Sequence, residues 1–333
     1  ASYRINISWL WMLVYVCRKN NHLRVDGKKN NSRDSRSCNM KILLTGDEGY
    51  VGSGLTRYLR QSHDVIGWNR QKDVRTLNAS IIKELGVDAV VNCAAVMDRV
   101  TSLFKIDSLT DSVNVDGARA LARALKDSNI PLVHISTKDV FGNFYTRDDI
   151  IEENLAYRPR FRVNDDQPFR PESTYAKSKL MSEYILEGHP QAVIVRLGSC
   201  YTDFDHAKGS WIVTVAKRIQ AGKKVTVSHN GKQFRDLLHA DDLGRLIEII
   251  LKSKRYGNKV NAGGGIKNTH SVREVIHMYN PNAEVCESAD DGDYGFVFSN
   301  KQVEKTFQWQ PQILFADRVT TILNNINKNI RAI

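Results

Sequence analysis

The stretch Lys41-Ile-Leu-Leu-Thr-Gly-Asp-Glu-Gly-Tyr-Val-Gly52 constrains this chain more than any other. Ile42 to Leu44 are a short apolar run, the mark of a strand buried on both faces of a parallel sheet. Gly46, Gly49 and Gly52 follow, and Leu55, Tyr58 and Leu59 then recur at helical spacing. A strand, a glycine turn and a helix in that order aim backbone N–H groups and a helix N-terminus at a pyrophosphate. Glycine is required because a Cβ would block the tight turn or hold the phosphates away. Three glycines alone prove little. Their placement makes Gly46, Gly49, Tyr50, Val51 and Gly52 candidates for binding a dinucleotide.

The chain downstream keeps alternating. Asp64 to Trp68 reads as a second strand ending at Asn69-Arg70. At this strand end an acidic residue ordinarily holds the adenosine ribose of NAD, and here Asn69 and Arg70 stand in its place. An arginine can pair with the 2′-phosphate of NADP, so NADP is favoured over NAD. Asp73-Val74 sits where a short third strand would leave a carboxylate near the adenine. Ser80 to Leu85 is a brief helix, and Ala89 to Ala95 is a buried strand whose small end, Ala94 and Ala95, leaves room for a cofactor. Asn114 to Lys126 is a helix and Pro131 to Ser136 a further strand. Strands alternating with helices imply an α/β fold, a Rossmann-type doubly wound parallel sheet.

Charge and cysteine content narrow the class. The net charge of +11 is uneven: residues 1–39 carry eight Lys/Arg and two Asp/Glu, which leaves +5 for the other 294. An enzyme that binds anionic phosphates can carry such an excess, and no basic stripe with interleaved aromatics suggests nucleic acid. Cys17, Cys38, Cys93, Cys200 and Cys286 are scattered, odd in number and without a CxxC pair. That argues against a disulfide framework or a metal site, and for a reducing, cytoplasmic setting. Residues 1–39 read differently from the rest. Ile7 to Cys17 is an apolar run of eleven residues, short of the roughly 20 that span a bilayer, and Arg18 to Asn39 is polar and aperiodic. The expectation is an upstream extension, disordered or foreign to the natural product, without stable membrane insertion; a membrane-contacting anchor is the second reading.

Ser136-Thr137 ends the Pro131 strand, and Tyr175-Ala-Lys-Ser-Lys179 opens a helix 38 residues after Thr137. Residues at i and i+4 share a helix face, so an ammonium can sit beneath the phenol. A free phenol has a pKa near 10, and a nearby cation lowers it towards a useful base. Tyr175 and Lys179 thus make a proton-transfer device for a hydroxyl or carbonyl, with Thr137 able to hold the same oxygen.

With these residues assembled, the chain resembles an extended short-chain dehydrogenase/reductase of the NAD-dependent epimerase/dehydratase family. The likeness runs from about Met40 to Arg318. It rests on Thr45-Gly-Asp-Glu-Gly-Tyr-Val-Gly52, Asn92-Cys-Ala-Ala95, Asn114, Ser136-Thr137, Tyr175-x-x-x-Lys179, Arg235-Asp-Leu-Leu-His-Ala-Asp-Asp242, Asn261-Ala-Gly-Gly-Gly265 and Phe307-Gln-Trp-Gln-Pro311. The resemblance implies Tyr175 as acid/base, Lys179 on the nicotinamide ribose, Thr137 orienting the reacting oxygen, and Arg235 on the phosphates of a nucleotide-sugar. A salt bridge from Arg235 to Asp236 is the plainer alternative. Two departures stand out. Ser199 occupies the place of an asparagine that would touch those phosphates, and Lys138-Asp139 replaces the acidic pair that dehydratases carry after the threonine.

The resemblance therefore implies an NAD(P)-dependent epimerase or ketosugar reductase acting on a nucleotide-activated sugar. Ser136 to Phe141 shares the Ser-Thr-x-x-Val-Phe pattern of dTDP-dehydrorhamnose reductases. Alternatives are a nucleotide-sugar dehydratase and a non-catalytic NADP-sensing Rossmann regulator. The expected division is 40–198 plus 236–262 for the dinucleotide, and 199–235 plus 263–333 as a smaller, discontinuous substrate-binding part. The Gly142–Tyr175 insertion, rich in Tyr and Arg, reads as a lid over the sugar or a solvated loop. Helices 114–126 and 175–186 carry apolar residues beyond one stripe, and the family's four-helix interface implies a homodimer.

Overall fold

The computed structural model describes residues 39–97, 112–204, 210–288 and 292–331. The expectations for the apolar run Ile7 to Cys17 and the basic stretch after it fall on residues 1–38, outside the described residues.

Strands come in chain order as β1 (Lys41–Thr45), β2 (Asp64–Trp68), β3 (Ala89–Asn92), β4 (Leu132–Thr137), β5 (Ile150–Glu152), β6 (Tyr157–Pro159) and β7 (Ala192–Leu197). They continue as β8 (Ser199–Tyr201), β9 (Val225–Val227), β10 (Phe234–His239), β11 (Asn258–Ala262), β12 (Thr269–Ser271), β13 (Val285–Glu287) and β14 (Gly295–Phe296). Six of them form the central sheet, in the order β11-β7-β4-β3-β1-β2, with every pair parallel. All residues of β3, β4 and β7 are buried, because helices cover both faces and leave no side for water. The sheet is the doubly wound Rossmann type that the alternating pattern predicts.

One strand expected from the sequence is missing. Val74 to Thr76 form a single 3₁₀ turn instead of a third strand. Asp73 has φ +44°, and its carboxylate accepts from Arg75 N at 3.0 Å, which closes the chain into a capped turn. The helix expected from Asn114 begins with a wide turn, Ser112–Asp116, before regular helix at Gly117–Leu125.

After β7 the chain leaves the central sheet. β10 pairs with β8, β12 and β14 in a second sheet, and the central sheet is regained by helix Ala240–Ser253 and β11. That helix buries Leu243, Leu246, Ile247 and Ile250 against Leu55, Leu59 and the strands. A second core gathers Tyr201, Ile212, Val215, Leu237, Val275 and Phe315.

The Gly142–Tyr175 insertion is neither a solvated loop nor a separate flap. It carries the β5–β6 hairpin, and Tyr145, Ile150, Tyr157 and Val163 are buried with Phe141, Phe234, Phe296 and Phe298. Tyr145 and Tyr157 belong to a core, with Tyr145 and Phe234 ring centroids 5.0 Å apart, while Phe161 of the same insertion is 44% exposed.

Candidate functional site

All six central strands end on one edge, and the chain reverses direction across the sheet between β1 and β3. In open parallel sheets a ligand lies in the crevice at that point. Gly46 follows β1 with φ +71°, and a Cβ there would come within 2.7 Å of Ala94 N. A Cβ on Gly52 would fall 2.1 Å from Gly46 O. The turn therefore exists only as bare backbone, closed by Gly49 N donating to Gly46 O at 2.9 Å, ahead of helix Tyr50–Leu59. Such a cradle fits a dinucleotide pyrophosphate.

Tyr50 and Val51 start that helix but face elsewhere. Tyr50 Oη donates to Ser210 Oγ at 2.7 Å, tying the turn to the far part of the chain, and burial raises its pKa. Val51 packs on the central core. At the end of β2, Asn69 Nδ2 donates to Glu48 Oε1 at 2.8 Å, and Arg70 is exposed. Asp73 is held by the Arg75 guanidinium, with two contacts at 3.0 and 2.9 Å, and Val74 is buried in the core. The Asp73 carboxyl lies below its usual range, chiefly through those Arg75 bonds.

Ala94 N donates to Thr45 Oγ1 at 3.3 Å, and Ala95 is exposed at the mouth of the crevice. Asn114 is buried and bridges two elements. It accepts from Val96 N at 2.8 Å and donates to Ser178 Oγ at 2.8 Å, while Ser178 bonds the Tyr175 carbonyl at 2.9 Å. It thereby sets the start of the Thr174–Glu187 helix against the loop after β3.

Ser173 caps that helix, its Oγ accepting from Ala176 N at 3.0 Å, and this fixes Tyr175 in the first turn. The helix packs on β4 and on the Lys138–Phe141 turn that follows Thr137. Thr137 Oγ1 accepts from Asp139 N at 3.2 Å. The structure thus brings Thr137, Lys138, Asp139 and Tyr175 to one end of the sheet. Lys179 lies one turn deeper and is buried; its ammonium donates to the Ile135 carbonyl at 2.8 Å and stands 3.2 Å from His134 Nε2. Burial lowers the Lys179 pKa to about 8, against the opposing pull of Glu183 and Cys93. Burial, and then the Lys179 charge, keeps His134 neutral.

The second group of expected residues lies across from Thr137. Ser199 pairs with Leu237 in the β8–β10 register. Arg235 does not bond Asp236, because successive side chains on a strand face opposite ways. Asp236 turns inward and accepts from Phe298 N at 2.9 Å, while Arg235 pairs with Asp293 at 2.7 Å. Lys138 is 3.0 Å from Asp139 and 4.0 Å from Asp293, with its ammonium 5.2 Å from the Phe296 ring centroid. Burial acts to raise the Asp293 carboxyl, but Arg235 and Lys138 outweigh it, and the group stays below its usual range.

Sequence reasoning passed over His134, Glu48, Glu183 and Asp293. His134 had a signal, a histidine inside the apolar run Leu132 to Ile135. Glu183 is buried and binds Arg196 Nη2 at 2.8 Å, one helical turn beyond Lys179. Asp293 had none, since 58 residues separate it from Arg235.

The profile of the NAD dependent epimerase/dehydratase family matches residues 42–263. The chain is 27% identical to the CDP-paratose 2-epimerase of Salmonella typhi, over 84% of this chain and 97% of that protein. It is 23% identical to the dTDP-glucose 4,6-dehydratase of Haemophilus influenzae, over 83% and 94%. Among solved structures it is similar to the UDP-glucuronic acid 4-epimerase of Bacillus cereus in complex with UDP-glucuronic acid and NAD, with a TM-score of 0.71 and 20% identity, covering 87% of this chain and 100% of that one.

Proposed function

Because the chain belongs to the NAD dependent epimerase/dehydratase family, we propose that it epimerises a nucleotide-activated sugar, or reduces its keto form, with Tyr175 as acid/base. Residues 40–198 and 236–262 would hold the dinucleotide, and 199–235 with 263–333 would meet the sugar nucleotide. When bound, the nicotinamide supplies or accepts the hydride. Tyr175 moves the proton at the reacting oxygen and Thr137 hydrogen-bonds that same oxygen. Lys179 meets the nicotinamide ribose and favours the phenolate. Gly46, Gly49 and Gly52 form the phosphate turn, to which Tyr50 and Val51 add only backbone N–H groups at the helix start; Ala94 and Ala95 floor the cofactor crevice, and Asn114 positions the Tyr175 helix. Asn69, Arg70, Asp73 and Val74 line the adenosine end. Arg70 favours the 2′-phosphate of NADP, and Glu48 beside Asn69 opposes it. Ser199 and Arg235 face the diphosphate of the sugar nucleotide, with the Arg235 fork suited to phosphate oxygens.

Lys138 is the observation that carries epimerisation or reduction over dehydration. The residue after Thr137 presents an ammonium 3.0 Å from Asp139, where eliminating water would call on an acid to protonate the departing hydroxyl. Dehydration is the second reading, favoured by the likeness to the Haemophilus influenzae dehydratase and by Asp139 as a base. Incubation with NAD or NADPH and a panel of CDP-, dTDP- and UDP-sugars, followed by NMR, separates them. An epimer formed without net cofactor turnover, or reduction that consumes NADPH, supports the proposal. A 4-keto-6-deoxy product formed by loss of water overturns it.

The same reading places the enzyme in the cytoplasm as a homodimer. Among the described residues, no helix is long and apolar enough to cross a membrane. Met181 and Tyr184 are about half exposed on the Thr174–Glu187 helix, where a second copy would cover them.

A further inference from the structure

A buried line of polar groups beneath Tyr175 has a direction, and that direction fixes where the protons of His134 sit. At one end Ala94 N–H, which can only donate, points to Thr45 Oγ1 at 3.3 Å. Thr45 Oγ1 lies 2.6 Å from Asn92, and its own proton goes to Asn92 Oδ1. Turned the other way, Asn92 would bring a second donor to Thr45 and leave the hydroxyl proton without an acceptor among the described residues. Asn92 therefore aims its Nδ2–H at His134 Nδ1, 2.9 Å away. At the other end Ser182 Oγ donates to the Lys179 carbonyl at 2.7 Å, a group that can only accept. With its proton spent there, Ser182 Oγ receives from His134 Nε2, 3.1 Å away. Both ends agree. The His134 ring is neutral, bare at Nδ1 and protonated at Nε2.

We propose that His134 is a positioning residue for the Tyr175–Lys179 pair: it gives the Lys179 ammonium a donor to face instead of an acceptor, and so sets the alkaline limit of the reaction. The inference rests on the reading of Tyr175 as acid/base and Lys179 as the cation that favours its phenolate. Lys179 Nζ lies 3.2 Å from His134 Nε2 and donates to the Ile135 carbonyl at 2.8 Å. One of its three protons is thus placed, and His134 can take neither of the others. An N–H turned toward an ammonium disfavours the charged form, whereas the neutral amine can accept from that same N–H. The other titratable groups near Lys179 offset little of this. Cys93, after β3, is a thiol that burial pushes up to about 12, so it stays neutral. Glu183, on the same helix, favours the ammonium, but its carboxylate is bonded to Arg196 and to the Ser136 hydroxyl. When Lys179 gives up its proton, the Tyr175 phenolate loses its cation, and proton transfer fades.

Long-range proton–nitrogen NMR of the full chain, isotope-labelled at its histidine ring nitrogens, reads the tautomer without any turnover. The His134 signal, identified by its loss in His134→Gln, should show a protonated Nε2 and a bare Nδ1 at neutral pH. His134→Gln also brings an amide oxygen within reach of the ammonium, while its NH₂ half can take over the bond to Ser182. NMR of the chain labelled at its lysine side-chain carbons should then show the Lys179 midpoint raised by about one pH unit or more, the scale of a gained hydrogen bond to a charged group. The alkaline limb of turnover on the identified sugar nucleotide should move up with it. A merely structural role would lower turnover at every pH and leave the limb in place. A proton on Nδ1 of the unaltered chain, or a charged ring at neutral pH, overturns the inference. So does a Lys179 midpoint or an alkaline limb that His134→Gln leaves unmoved. Full activity in Tyr175→Phe overturns the underlying reading of the pair instead.

Discussion

Lys179 Nζ stands 3.2 Å from His134 Nε2, one helical turn below Tyr175 and beneath the edge of the sheet. His134 continues inward to Asn92 at 2.9 Å, and Asn92 accepts from Thr45 Oγ1 at 2.6 Å. A polar chain therefore runs from the helix through three adjacent strands of an otherwise apolar core. It holds Lys179 as a buried cation with neutral partners, which is costly for stability and suited to tuning a proton donor.

That cost has a sign and a pH window. The Lys179 pKa falls from 10.5 unfolded to about 8 folded, so below pH 8 both states are protonated and the folded state carries the whole penalty, about 3 kcal/mol. Between about pH 8 and 10.5 the unfolded chain binds a proton that the folded chain has released, and stability from this group rises with pH. Lys179→Met should remove the penalty at pH 7, less about 1 kcal/mol for stranding the Ile135 carbonyl. The melting midpoint should rise by a few degrees at pH 7, with a smaller gain at pH 10. A lower midpoint at pH 7 would show that His134 and Glu183 stabilise the ammonium more than burial opposes it.

Tyr175→Phe keeps the ring in its buried first turn and loses only the hydroxyl. The fold and dinucleotide binding should persist, while turnover on the identified sugar nucleotide falls about 10²–10⁴-fold. Lys179→Met should cost more, because it removes a ribose contact along with the charge. Its residual activity should also need a higher pH. Full activity in Tyr175→Phe, with an unchanged pH profile, would remove Tyr175 from the reaction.

The Arg196–Glu183 pair is enclosed, with both side chains at most 2% exposed. Arg196 Nε meets both Glu183 oxygens at 3.1 and 3.0 Å, and its guanidinium lies 4.8 Å from the Phe169 ring centroid. Glu183→Gln takes the bidentate acid from a guanidinium in the core and leaves it only the more distant Asp165, and should destabilise by about 3–5 kcal/mol. The paired change Arg196→Met with Glu183→Leu should recover most of that loss in urea unfolding. A single variant as stable as the parent would mean that water reaches the pair.

What the sequence made legible follows from how local each signal is. β2 runs from Asp64 to Trp68 as its apolar run suggests, and the glycine turn stands where three glycines place it, because both depend on near neighbours. The third strand failed because the Asp73–Arg75 contact, two residues apart, favours a turn that no apolar periodicity reports. Glu48–Asn69 and Arg235–Asp293 were invisible for the opposite reason. Each partner is an ordinary polar residue, and only the fold carries it across 21 or 58 positions. The burial of Tyr145, Tyr157 and Val163 in the insertion, which read as a lid or a solvated loop, was not legible because their partners Phe234, Phe296 and Phe298 come much later in the chain.

The exposed face of the Thr174–Glu187 helix yields the last prediction. Met181 is 48% and Tyr184 54% exposed, whereas Ser182, Glu183 and Leu186 of the same helix are buried. Large apolar side chains left together on the exposed face of a helix mark a surface that another surface covers. The helix packs against Gly117–Leu125, so the two would pair with their counterparts in a second copy as four helices. A stable interface of that kind takes about 800 Å² from each copy, and two helices of this length can provide it. Light scattering at micromolar concentration should therefore give twice the 37.8 kDa chain mass. Met181→Lys with Tyr184→Glu should give the single mass, and circular dichroism should show the helix content unchanged. A monomer in the unaltered protein would leave these two side chains to solvent and remove the dimer from the proposal.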